Sequence, residues 1–168
     1  SPVQFANFKQ AMDELAKADE SIDLFEYSLS KLVIRHLEPH FVKQRKKTAQ
    51  YYSLKKLSRE CSVLISSLAC TAGSDEEAIQ AAYDAGAIHL AGTSKLPVAE
   101  CGLQELDQAL ATLAGAAPNL KRKIIEAAVA TVSADGYLQI QEAELLRAIS
   151  DSLDCPMPPL AIALDTAA

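Results

Sequence analysis

The chain of 168 residues is 49% apolar, 23% charged and 5% aromatic, with a formal charge of −6. A chain of this length buries roughly 70% of its unfolded surface, enough for one core without disulfide staples. The 29 alanines and 22 leucines, against six glycines and seven prolines, argue for packed helices and against a collagen, a β-sandwich or a disordered tail.

Phe5, Phe8, Met12, Leu15 and Ala16 recur at helical spacing and predict a first helix over about 3–17. Asp19 to Asp23 breaks it, and the capping-box pattern from Asp23 to Glu26 opens a second helix that Pro39 ends. After a basic connector, Leu54, Leu57, Cys61, Leu64, Leu68 and Ala69 line a long third helix stopped by Gly73. Ser74 to Glu77 reads as another capping box, starting an alanine-rich fourth helix to about Leu90. Gly92 to Gly102 is a loop around Pro97, and Leu103, Leu106, Leu110 and Leu113 make a fifth helix. Pro118-Asn119 precedes a sixth, Leu120 to Val132, and Ala134-Asp135-Gly136-Tyr137 turns into a seventh from about Gln141 to Leu153. The Cys155-Pro-Met-Pro-Pro159 tail cannot continue it. The expectation is a single all-α domain over 1–168 of about seven helices, with 39–53 a candidate hinge between two halves.

No membrane span is expected. The longest uncharged stretch, Cys61 to Ser74, is 14 residues with five hydroxyl side chains, short of the ~20 apolar residues a span requires. The opening Ser1-Pro2-Val3-Gln4 does not read as a secretory signal. The four cysteines, at 61, 70, 101 and 155, lack the short paired spacing of a zinc ribbon, and buried reduced thiols are expected. Nucleotide and hydrolase fingerprints are absent as well, so the chain is not expected to be an enzyme.

The two ends of the sequence resemble each other. Ala18-Asp19-Glu20-Ser21-Ile22-Asp23-Leu24-Phe25-Glu26 aligns without gaps on Ala134-Asp135-Gly136-Tyr137-Leu138-Gln139-Ile140-Gln141-Glu142. In each copy an apolar residue, Ile22 or Leu138, is expected to plug the turn into the core. The acid four residues on, Glu26 or Glu142, is expected to cap the next helix through its amides. An EF-hand is not expected, because its ligand positions would fall on Leu15 and Lys17, which offer calcium no side-chain oxygen. A looser divalent-cation site from Asp19, Asp23, Glu26, Asp135 and Glu142 stays open beside the plain reading of turn and cap residues.

An Ala-Asp turn followed by an acid, present twice in a helical chain and once with glycine as Ala134-Asp135-Gly136, resembles the tellurite-resistance TerB-like domain. Ser21-Ile-Asp-Leu-Phe-Glu-Tyr27 leading to Arg35-His-Leu-Glu-Pro-His-Phe41 resembles the C-terminal region of bacterial membrane zinc metallopeptidases of the HtpX-like, CAAX-protease-related kind. So does Glu142-Ala-Glu-Leu-Leu-Arg-Ala148 leading to Asp154-Cys-Pro-Met-Pro-Pro159. The resemblance implies a fragment without the H-E-x-x-H zinc helix and membrane spans of its parent, lying on the cytoplasmic side of a bacterial membrane. Its role would be contact with a protein partner or with the parent's own protease domain. It also implies metal-binding acids at Asp19, Asp23, Glu26, Asp135 and Glu142, although Glu20 stands where the family has glycine and Gln139 where a capping or acidic residue is usual.

Charge supplies the remaining candidates. Residues 31–59 carry nine Lys or Arg and one acid, whereas the rest of the chain carries seven bases and 21 acids. Lys43, Arg45, Lys46, Lys47, Lys55 and Lys56, with Tyr51 and Tyr52 between, could seat on an anionic lipid surface or an acidic partner, or form a solvated connector. The acidic remainder argues against nucleic acid. His36 and His40 have zinc-like spacing, but Pro39 disrupts their shared face and a third ligand is lacking. His89 is expected in the core or at an interface.

Overall fold

The computed structural model describes residues 2–18, 30, 33–34, 49–73 and 75–157. Six α-helices are delimited: α1 (Pro2–Ala18), α2 (Ser58–Ala72), α3 (Glu76–Ala87), α4 (Leu103–Leu113), α5 (Pro118–Val132) and α6 (Ile140–Ser152). Ser30, Val33 and Ile34 are helical too, within the stretch expected to form the second of about seven helices. Among the described residues there is no strand, and the fold is all-α.

Helix α2 is the centre of the body. Cys61 through Ala69 are buried without interruption, so this helix is enclosed on every side and not amphipathic in the usual sense. It packs on α3, α4 and α5, while α6 closes against α5 and α4. The common core runs from Leu57 on the 3₁₀ turn Leu54–Leu57 to Leu153, with Leu64, Leu68, Leu106, Leu113, Ile124 and Leu146 fully enclosed. Phe5 and Ile34 are buried outside this cluster, and Phe8, expected on the same apolar face of α1, is exposed.

Three buried serines in α2 need partners, because an enclosed hydroxyl without one is costly. The loop before α4 supplies them. Ser62 Oγ accepts the Ser94 amide at 3.0 Å, and Ser66 Oγ accepts the Leu96 amide at 3.1 Å. Ser67 Oγ donates to the Cys101 carbonyl at 3.2 Å. From the other side, Lys95 Nζ lies 2.5 Å from Glu76 Oε1 on α3. The loop is thus a strap bonded to two helices.

Several local expectations shift in register or geometry. Leu54 and Leu57 fall in the 3₁₀ turn instead of on the long helix, which begins at Ser58. Gly73 does end α2, but with extended backbone (φ −105°), not a left-handed cap. A glycine is required there because a Cβ would sit 2.5 Å from the Ile79 amide nitrogen. The cap of α3 is Asp75, one residue later than expected; its carboxylate accepts the Ala78 N–H at 2.9 Å. Ser74 lies outside the described residues. α3 also ends at Ala87, short of Leu90.

The candidate hinge is described over 49–53 only. There Gln50 and Tyr51 donate to the Gly115 carbonyl, at 2.8 and 3.2 Å, and the Ala117 amide returns a bond of 2.8 Å to the Tyr51 carbonyl. These bonds make a single parallel bridge between Tyr51 and Ala116. Residues 39–48 lie outside the described residues.

Candidate functional site

The corner between α5 and α6 carries the residues that the internal repeat singles out. α5 ends at Val132, and the Gly136 amide bonds back to the Ser133 carbonyl at 3.0 Å. Gly136 adopts φ +87°, the left-handed region in which a side chain is strained. Asp135 Oδ1 accepts the Tyr137 N–H at 2.9 Å, an Asx turn that holds the chain while it reverses. Leu138 is half-buried against the core, as expected of the plug. Gln139 is the N-cap residue of α6, and Glu142 Oε2 accepts its amide at 2.7 Å. The acid therefore serves the helix start from the third helical position, so a Gln at 139 does not leave that start uncapped.

Both acids of this corner thus hold backbone amides. Among the described residues, no three His, Cys, Asp or Glu side chains gather as metal ligands. Asp19, Asp23 and Glu26, the acids of the first copy, lie outside the described residues, as do His36, His40 and Glu38. Tyr137 and Ile140 stand exposed at the same corner, 66% and 72% respectively.

Of the basic candidates, Lys43, Arg45, Lys46 and Lys47 lie outside the described residues, while Lys55 and Lys56 are exposed on the 3₁₀ turn before α2. Arg59 is held by Glu100 at 3.4 Å. A second basic run, Lys121-Arg122-Lys123, sits in the first turns of α5, and no acid occupies the first turn of that helix. The charge asymmetry of 31–59 does not point to this run, which adds only three bases to an otherwise acidic remainder. Lys-Arg-Lys three residues after a proline at a helix start was the available signal.

The thiols divide. Cys61 is buried, and desolvation pushes it up to about 12. Cys70, Cys101 and Cys155 are only half-buried, against the expectation of four buried thiols, because each lies at a helix or loop end. Burial also raises Cys101, helped by the neighbouring Cys70. His89 is exposed, one turn past Gly86 and beyond the end of α3, not in the core. No described helix is long and apolar enough to cross a membrane. Comparison with protein-family models, with curated proteins and with solved structures found no match.

Proposed function

We propose that this chain is a non-catalytic helical accessory domain, TerB-like in kind, from the C-terminal region of a bacterial membrane zinc metallopeptidase. It acts by contact with a protein partner or with the parent's own protease domain. The observation that carries the reading is the α5–α6 corner. The residues that define the resemblance, Asp135, Gly136 and Glu142, are the ones that hold the reversal between two core helices. They do mechanical work there, which suits an architectural motif better than a reaction centre. Tyr137 and Ile140, exposed at that corner, are side chains a partner would cover.

In this parentage the hydrolytic chemistry, a metal-bound water attacking a peptide carbonyl with a glutamate as base, lies outside these residues. Two measurements test the reading. Genomic sequence upstream of Ser1 is expected to encode hydrophobic spans and an H-E-x-x-H helix; an upstream region lacking both would remove the parentage. The chain itself is expected to leave casein and unfolded peptides intact with zinc present, and zinc-dependent cleavage by it would refute the accessory role.

A further inference from the structure

We infer that the surface around the Tyr51–Ala116 bridge is a docking face for anionic phospholipid headgroups, built from Lys55, Lys56, Lys121, Arg122 and Lys123 with Tyr52 beside them. In sequence these are two separate basic runs; the bridge ties the chain just before the first run to the chain just before the second. From Tyr51 the chain reaches Lys56 in five residues, at most roughly 17 Å even if fully extended. From Ala117, bonded to Tyr51 at 2.8 Å, it reaches Lys121 after one helical turn of about 6 Å. The bridge is parallel, so both chains leave it in the same direction. This placement is a property of the fold and does not rest on the parentage.

Three observations identify the occupant. First, no carboxylate among the described residues pairs with any of the five cations, whereas Arg59, Lys95 and Arg147 each have an acidic partner. Second, Lys121 closes the first turn of a helix that has no acid in that turn, where a cation opposes the macrodipole, and Arg122 and Lys123 follow it directly. Helices ordinarily avoid that arrangement, and an external anion relieves it. Third, Tyr52 is 73% exposed, and its hydroxyl donates to the Ala49 carbonyl at 3.2 Å. An exposed tyrosine among lysines is the residue set that seats at headgroup level, with lysine stems lying on the apolar boundary.

The acidic remainder of a chain of net charge −6 favours a flat anionic surface over nucleic acid. A planar surface engages one patch, in which Glu60 and Glu126 are the acids nearest in sequence, and leaves the remaining carboxylates beyond the ~8 Å screening length, whereas a polyanion that wraps the protein meets them all.

The test is co-sedimentation of the whole chain with phosphatidylcholine vesicles containing 0 or 30% phosphatidylserine, in low and high salt. Binding only to the anionic vesicles, lost as salt rises, is expected. Lys55→Gln/Lys56→Gln and Lys121→Gln/Lys123→Gln are each expected to lower partitioning about thirty-fold, from the per-lysine contribution of a polybasic surface. Gln104→Glu/Gln108→Glu changes net charge equally on the exposed side of α4 and is expected to alter binding less than two-fold. Circular dichroism and melting of each variant confirm the fold. Absence of binding by the parent chain, a full response in the α4 control, or no response to the Lys121 and Lys123 pair would overturn the assignment. Tighter capture by polyglutamate than by the vesicles would also overturn it, moving the face to an acidic protein.

Discussion

Helices α3 and α5 meet at Gly86, and substitution there gives the most direct test of the packing. In a solvent-facing helix, Gly→Ala stabilises by about 1 kcal/mol. Here a methyl on Gly86 would overlap Thr131 Oγ1 and lie 3.0 Å from the Ala127 carbonyl oxygen. Thr131 is fully buried, and its hydroxyl donates to that same carbonyl at 3.0 Å. Turning it aside forfeits a hydrogen bond of about 1 kcal/mol. Overpacking of this kind adds about 2 kcal/mol. The sum is a net destabilisation of about 2 kcal/mol, a fall in Tm of about 4–8 °C for a chain of this size.

Thermal and urea melts followed by circular dichroism measure it, and a double-mutant cycle isolates the cause. Thr131→Ala removes the obstructing atoms, so the double variant should be less destabilised than the sum of the singles by about 1–2 kcal/mol. A higher Tm for Gly86→Ala, or strict additivity in the cycle, would refute the close approach of the two helices.

Four other outcomes follow from contacts elsewhere in the fold. Ser62→Ala/Ser66→Ala strands the amides of Ser94 and Leu96; it should destabilise by about 2 kcal/mol and speed hydrogen exchange at those amides, and unchanged exchange would mean the strap is held otherwise. Gly136→Ala, which meets open space but must adopt φ +87°, should cost about 1 kcal/mol in a melt, and Glu142→Ala about the same through loss of the Gln139 amide bond, so a neutral result at either position would undo the corner geometry. Because Cys61 is raised from 9.0 to about 12, its contribution to stability is complete below pH 9 and declines between pH 9 and 12, where the unfolded thiol ionises first; Cys61→Ala should flatten that limb of the pH–stability curve.

Much of the helical content was legible because helix-forming residues and spacing act locally. α1, α4 and α5 fall within two residues of the expected bounds, and the break at Ala134–Tyr137 is where Asp135 and Gly136 make it. The cap of α3 lies one residue beyond the Ser74 that the capping-box pattern predicts. Ser74 and Asp75 both suit an N-cap by type, and it is the Asp75 carboxylate that accepts the Ala78 amide. Leu54 kept the helical spacing of α2 and still fell in a 3₁₀ turn, since periodicity cannot distinguish a tight turn from the helix it precedes. Half of the candidate site was also readable: the roles of Leu138 and Glu142 follow from the plug-and-cap pattern, whereas nothing in 31–59 pointed to Lys121, Arg122 or Lys123.

The sequence by itself determined that this chain is helical, where most helices begin and end, and which residues make its sharpest corner, because propensity, capping and the left-handed backbone of Gly136 act over a few residues. Only the tertiary structure decided that α2 is enclosed on all sides, that its serines bind the strap before α4, and that the chain at Tyr51 pairs beside the start of α5. Those are choices among distant partners, set by which surfaces bury together and which buried hydroxyls find an amide or carbonyl, and no local pattern encodes them.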